Sequence, residues 1–322
     1  MTQASFSHAV FFPGQGAQKV GMAADLVERD ARARAVFDRG REILGIDLLA
    51  ICRDGPREDL SSTRLSQPAI FLHSMAVLEL LNAGPFGTEL PAQATAGLSL
   101  GEYSALVFAG SLSFEDALRL VARRGEAMQA ACDQAAGAMA AVLGLDPAMV
   151  ERVVDDERRK GLEIGCANFN SPVETVISGE RGAVETVSAA LKEAGARRVV
   201  PLDVAGAYHS PLMAPATREM APLIEAVEIR PPRLPFYANV SGDRVTDPEE
   251  IRRGLIAQIE SPVRFSGLVR AMIDRGDWTS ARALELGPGR VIQGLARKID
   301  AGLHVEPIGA SEDLDKSEVL PL

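Results

Sequence analysis

Cysteine is scarce in this 322-residue chain, and its three copies exclude two kinds of architecture. Cys52, Cys132 and Cys166 are scattered, odd in number and without a C-x-x-C pair. They supply neither a disulfide framework nor a zinc site, and read as reduced thiols of an intracellular protein. Basic residues are outnumbered, 34 Lys and Arg against 44 Asp and Glu. A net charge of −10 leaves no excess cation to neutralise phosphates, which speaks against a general nucleic-acid binder. An acidic partner that docks on a local basic patch stays compatible with it. Residues 1–8 lack the basic run and apolar core of an export signal, and no uninterrupted apolar run reaches membrane-spanning length. A cytoplasmic protein without a membrane partner is expected. No internal repeat, low-complexity block or cluster of His, Cys and carboxylates stands out, so no metal or redox cofactor is called for.

What is present is a hydrophobic content of 47%, enough for a large core in one big domain or two unequal ones. Residues 9–12 read as a short buried strand, followed by the loop Pro13-Gly14-Gln15-Gly16-Ala17-Gln18. Helical periodicity follows over 22–29, 31–44 and 68–81. A strand over 92–96, a helix over 100–109 and an amphipathic helix over 114–129, capped by Ser113, continue an alternating pattern. That alternation implies a largely parallel sheet.

The middle changes character. Strand 138–143, helix 147–159, strands 162–168 and 174–178, helix 181–194 and strand 197–202 give the order βαββαβ of a ferredoxin-like unit. The expected organisation is a large α/β domain of two pieces, 1–136 and 205–322, carrying a small ferredoxin-like subdomain at 137–204. In the second piece the pattern predicts a helix from Pro211, a strand near 235–240, helices near 249–259 and 265–274, a strand at 283–286 and a helix at 291–299. The acidic tail from Ala310, nearly free of aromatics, is expected to be mobile.

One pentapeptide carries chemistry. Gly97-Leu98-Ser99-Leu100-Gly101 fits a G-x-S-x-G nucleophile elbow, where a strand turns sharply into a helix and lifts the serine hydroxyl clear of the sheet. The helix N-terminus beside it can stabilise developing negative charge. A serine needs a base, and histidine has the matching pKa. Only four histidines exist. His8 precedes the first strand, His73 lies in an apolar helical pattern and His304 sits at a surface position. His209 alone lies in an irregular loop just before a helix, where catalytic groups concentrate; a purely structural loop histidine is the other reading. Asp203 matches the Ser-Asp-His chain order of hydrolases, yet it lies only six residues before His209. A backbone carbonyl orienting the imidazole is the alternative.

Taken together, the motifs are similar to those of one family. They are Phe12-Pro13-Gly14-Gln15-Gly16-Ala17-Gln18, Ser66-Gln67-Pro68-Ala69, Gly97 to Ala105, Arg124-Gly125-Glu126-Ala127-Met128-Gln129, Gly206-Ala207-Tyr208-His209-Ser210, Gln258 with Ser261-Pro262-Val263, and Glu285-Leu286-Gly287-Pro288-Gly289. In that order they resemble the malonyl-CoA:acyl carrier protein transacylases, loading enzymes of type II fatty-acid synthesis. The resemblance implies an α/β-hydrolase-like large domain with a ferredoxin-like insert, and transfer of a malonyl group from malonyl-CoA to the phosphopantetheine thiol of holo acyl carrier protein. It implies Ser99 as nucleophile, His209 as base with main-chain carbonyls near Gln258 orienting it, and Gln15 with the Leu100 N–H as oxyanion hole. Arg124 would hold the malonyl carboxylate, with Gln67, Met128, Tyr208 and Gln258 completing the substrate site. An arginine suits that role, since its planar guanidinium grips a carboxylate bidentately and stays charged; Arg123 beside it would face solvent.

Two positions depart from the commonest family pattern. Leu98 stands where most relatives have His, and Tyr208 where malonyl-selective relatives often have Phe. A bulky ring at 208 leaves little room for an α-methyl branch. The carrier protein is acidic, and Lys192, Arg197 and Arg198 form a candidate docking patch. A monomer suits a partner that shuttles. An esterase or thioesterase, and a non-catalytic carrier-protein docking module, are the competing readings.

Overall fold

A computed structural model describes residues 8–83 and 90–316. The chain opens with β1 (Ala9–Phe12), then α1 (Ala24–Arg29), α2 (Ala31–Leu44), α3 (Leu48–Asp54), α4 (Arg57–Ser61) and α5 (Thr63–Ala83). Next come β2 (Ala94–Gly97), α6 (Gly101–Phe108) and α7 (Phe114–Gln134). The middle comprises β3 (Gly137–Leu143), α8 (Pro147–Arg159), β4 (Ile164–Ser171), β5 (Glu174–Glu180), α9 (Arg181–Glu193) and β6 (Arg198–Pro201). After a 3-10 turn at Pro211–Met213 follow α10 (Ala214–Ala226), β7 (Phe236–Tyr237), β8 (Arg244–Val245), α11 (Pro248–Gln258), α12 (Phe265–Asp274), β9 (Arg282–Leu286), α13 (Val291–Ile299), β10 (His304–Ile308) and α14 (Ser311–Lys316).

The larger sheet runs β10-β9-β1-β2-β7-β8, parallel throughout except for the β7–β8 pair. Its central strand is buried on both faces, as a parallel sheet covered by helices requires. The two-residue side-chain period sends Val10 and Phe12 of β1 into one core and Ala9 and Phe11 into the other. On the second face Phe11 meets Trp278 and Phe265 edge-on, with ring centroids 5.6 and 6.0 Å apart. The smaller sheet, β4-β5-β3-β6, is antiparallel throughout, and its connectivity is the βαββαβ of a ferredoxin-like unit. The fold is therefore the mixed α/β arrangement that the alternation implies. The small sheet is stitched to the large body where Phe169 N–H donates to Val263 O at 2.9 Å and Val263 N–H to Ala167 O at 2.8 Å. No helix among the described residues is long and apolar enough to cross a membrane.

Local signals explain most boundaries. Asp30, Ser113 and Asp146 cap α2, α7 and α8 by accepting main-chain N–H bonds, and Gly45 closes α2 in the left-handed region at φ 71°. Four departures have physical causes. Helix α5 begins at Thr63 rather than at Pro68, because Leu65 and Ser66 N–H bond back to Ser62 O and Thr63 N–H bonds to Gln129 Oε1. The expected strand near 235–240 shortens to Phe236–Tyr237, and its remainder becomes the loop that carries Asn239. Strand β10 is not anticipated, since Pro307 interrupts its pattern; as an edge strand it tolerates the missing donor. The acidic tail is helical over Ser311–Lys316 rather than irregular from Ala310 onward. Helix α14 is held to α1 by the bidentate Arg29–Asp315 pair, 2.7 and 2.8 Å, and by Ser311 N–H on Asp25 Oδ2. The rest of that tail, 317–322, lies outside the described residues.

Candidate active site

The turn after β2 is too tight for any side chain at its glycines. A Cβ on Gly97 would overlap the Gly101 carbonyl, and one on Gly101 would overlap the Phe12 carbonyl of the neighbouring strand. Ser99 between them sits at φ 51°, a strained conformation for a residue with a side chain. Asn239 braces it: Ser99 N–H donates to Asn239 Oδ1 at 2.7 Å, and Asn239 Nδ2 donates to Gly97 O at 2.7 Å. Helix α6 starts at Gly101, so the Leu100 amide faces the helix N-terminus without an acceptor among the described residues. Such an amide, aligned with the helix dipole, suits an anion.

His209 comes from the loop after β6 and is itself at φ 54°. Ser210 holds that loop, donating to Ala207 O at 2.7 Å and accepting from Leu212 N–H at 3.3 Å. His209 Nε2 lies 2.7 Å from Ser99 Oγ, and Nδ1 lies 2.7 Å from the Gln258 carbonyl oxygen. The carbonyl can only accept, so Nδ1 carries the proton and Nε2 is free to accept from the hydroxyl. Burial, and secondarily the charge of Arg124, lowers the His209 pKa from 6.5 to about 4. The imidazole is neutral at physiological pH. Asp203 makes no hydrogen bond or ion pair with it; the Gln258 carbonyl takes the orienting position instead.

Helix α7 explains how an arginine reaches the same point. Val121, Ala127 and Met128, three or four residues away, lie on the buried face, which carries Arg124 inward to 1% exposure. Arg123 points out and pairs with Glu126 and Glu219. Arg124 Nη1 donates to Gln67 Oε1 at 2.7 Å, and Nη2 donates to Gln258 Oε1 at 2.8 Å and to Ser99 Oγ at 3.1 Å. These acceptors are all uncharged. The guanidinium has no ion pair, and its Nε no acceptor, among the described residues. Burying a cation on neutral groups is costly, and the arrangement suits an anion as a further partner.

Around this centre a cleft of about 1160 Å³ is lined by Gln15, Gln67, Leu98, Ser99, Arg124, Met128, Tyr208 and His209 among others. Leu98 contributes apolar surface to the cleft wall beside Ser99. Tyr208 shares a 2.5 Å hydrogen bond with Thr63 Oγ and accepts from Gln15 Nε2 at 3.4 Å, so its ring is pinned across the cleft. Gln15 also donates to Thr63 Oγ at 3.3 Å, which leaves its main-chain N–H, not its side chain, without an acceptor among the described residues. Gln67 Nε2 reaches Met128 Sδ at 3.6 Å. A second cavity, about 600 Å³ between α2, α5 and the start of α7, contains none of these groups.

Three residues of the site escape sequence reasoning. Asn239 has no local signal, being 140 residues from Ser99. Thr63 lies in the turn of α5 ahead of Pro68. Glu102 is the single charge in the first turn of an otherwise apolar helix, which is a legible oddity. It is 2% exposed, accepts from Asn239 N–H at 3.1 Å and from Gln258 Nε2, and its carboxyl is pushed up to about 7 by burial.

Fold and site together are those of an acyltransferase. The sequence profile of the acyl transferase domain matches residues 10–283. The chain is 40% identical over 299 residues to the malonyl CoA-acyl carrier protein transacylase of Escherichia coli (strain K12), covering 93% of each. It is 39% identical over 307 residues to that of Bacillus subtilis (strain 168), covering 95% of each. An acyl carrier protein S-malonyltransferase crystal structure from Vibrio cholerae superposes with a TM-score of 0.89 at 40% identity, over 96% of this chain and 99% of that one. A malonyl-transacylase solved in complex with its type II PKS acyl-carrier protein gives 0.90 at 37% identity, over 98% and 99%. The chain belongs to the malonyl CoA-acyl carrier protein transacylase family.

Proposed function

We propose that this acyltransferase moves a malonyl group from malonyl-CoA to the phosphopantetheine thiol of acyl carrier protein, for fatty-acid or polyketide synthesis. Ser99 Oγ attacks the thioester carbonyl while His209 Nε2 takes its proton. The tetrahedral oxyanion rests on the Leu100 and Gln15 main-chain amides at the start of α6 and after β1. The C–S bond then breaks, the sulfur takes the proton from His209, and CoA leaves as a thiol, with malonyl esterified to Ser99. The carrier-protein thiol repeats the sequence in reverse, giving up its proton to His209 as it attacks the ester.

The observation that carries this reading is the meeting, on one hydroxyl oxygen, of a neutral imidazole at 2.7 Å and, at 3.1 Å, a buried guanidinium that has no ion pair among the described residues. A simple esterase has no use for that cation. A malonyl group brings the missing carboxylate to it, and Gln67 and Gln258 hold the guanidinium plane for a bidentate grip. Tyr208 closes the space beside the α-carbon and disfavours branched acyl groups.

The carrier protein docks, on this reading, beside Lys192, Arg197 and Arg198. These are exposed at the end of α9 and the start of β6, the strand that leads into the cleft-lining residues Leu202 to Ala205. The chain acts as a monomer with a two-piece catalytic body, 1–136 and 205–322, and residues 137–204 as the inserted unit. Incubation with labelled malonyl-CoA, with and without holo carrier protein, tests the proposal. Label should pass to the carrier protein only when Ser99 is intact. Release of free malonate at the same rate with or without carrier protein would identify a hydrolase instead.

A further inference from the structure

Neither the nucleophile, the base nor the carboxylate clamp assigned above uses Glu102, although among the described residues it is the one buried carboxyl in the site. Both its oxygens accept hydrogen bonds, from Asn239 N–H at 3.1 Å and from Gln258 Nε2. The same Gln258 Nε2 donates to Ser99 O at 2.9 Å, which leaves Gln258 Oε1 to face Arg124 Nη2 at 2.8 Å. The main-chain carbonyl of Gln258 meanwhile holds His209 Nδ1. A single glutamine thus touches the base, the nucleophile's backbone and the clamp, and its side-chain amide has two ends that could be exchanged.

We propose that Glu102 is a positioning residue for the carboxylate clamp: it dictates which end of the Gln258 amide faces Arg124. Burial favours the neutral carboxyl, but the Asn239 and Gln258 hydrogen bonds and the Arg124 charge favour the ionised one. That ionised form offers only acceptors, so it selects the NH₂ end of the amide and turns the oxygen towards the guanidinium. The flipped amide would set oxygen against oxygen at Glu102 and NH₂ against N–H at Arg124. Glu102 also attracts Arg124 directly across the buried site. The inference rests on the transacylase reading, because the clamp has a task only if the acyl group carries a carboxylate.

Glu102→Gln keeps the shape and both hydrogen-bonding sites but offers a donor as well as acceptors, and so removes the preference. The clamp holds the malonyl carboxylate in ground and transition states alike, so its loosening appears in KM. The expected result is a rise in KM for malonyl-CoA of about 10-fold, with kcat changed by less. Acylation of Ser99 by excess acetyl-CoA, which has no carboxylate, should stay within about twofold of the unsubstituted enzyme. In an Arg124→Ala background Glu102→Gln should cost malonyl transfer nothing further. If Glu102→Gln fails to fold, Glu102→Asp, whose shorter carboxylate draws back from Gln258 Nε2, should raise KM for malonyl-CoA in the same malonyl-selective sense. Equal losses for both acyl donors, additive losses with Arg124→Ala, or an unchanged KM would overturn the proposal. An unsubstituted enzyme that forms no malonyl-serine would instead remove the transacylase reading itself.

Discussion

Replacing Arg124 by alanine separates acyl transfer to any acceptor from transfer of a carboxylate-bearing group. The guanidinium is 1% exposed, so solvent screens its contacts little. It loses bonds to Gln67, Gln258 and Ser99 Oγ, all neutral, and the substrate loses its charged partner. A charge-assisted contact contributes roughly 1.5–3 kcal/mol, and a bidentate grip on malonyl at least that much. Acylation by malonyl-CoA should therefore fall on the order of 100-fold. Acetyl-CoA makes no such contact, so its slower acylation should hold or rise. A second effect runs through His209, whose pKa Arg124 helps to depress. Without that positive neighbour the imidazole pKa rises, and the acid limb of the acetyl reaction moves to higher pH. The assay is single-turnover acylation followed by intact mass, with both donors across pH. Equal loss for malonyl and acetyl groups would refute the clamp.

Further predictions concern the base, the elbow and the docking face. With His209 held near 4 rather than 6.5, the acid limb of malonyl-serine formation should fall well below pH 6. The stability that the neutral imidazole contributes is complete above 6.5 and lost as pH falls through about 4; an acid limb at 6.5 in a stopped-flow pH series would contradict this environment. Asn239→Ala strips the acceptor from Ser99 N–H and the donor from Gly97 O. It should destabilise the protein by about 2–4 kcal/mol in denaturant titrations and slow acylation; an unaltered midpoint would show that the elbow stands without its brace. Arg198→Glu should raise KM for carrier protein while leaving that for malonyl-CoA unchanged in steady-state assays, and parallel changes would move the docking face elsewhere.

Much of this architecture is legible in the chain because its signals are local. Glycines at 97 and 101 announce a turn that no Cβ could enter, and the caps at Ser113 and Asp146 sit where their helices begin. Arg124 stands in an apolar stripe at helical spacing, but an arginine in such a run ordinarily faces solvent, and only the family motif points it indoors. What stays hidden depends on distant partners. Asn239 falls within the expected strand near 235–240 until the fold ends that strand early and carries it under Ser99, and Glu102 reads as a helix-start charge until Gln258 arrives from 156 residues away. Strand β10 is concealed by Pro307, which only its edge position permits. Pro68 marks a helix start by propensity, yet local bonds to Ser62 O and a tertiary bond to Gln129 extend α5 back to Thr63, which places Gln67 in the cleft and Thr63 against Tyr208.

The central claim is tested most directly by exposing the protein to malonyl-CoA without acceptor, then mapping the adduct by intact and peptide mass spectrometry. One malonyl ester on Ser99, absent from Ser99→Ala and discharged by holo carrier protein, is the predicted result. An adduct on another residue, or none while transfer still proceeds, would contradict a malonyl-serine intermediate.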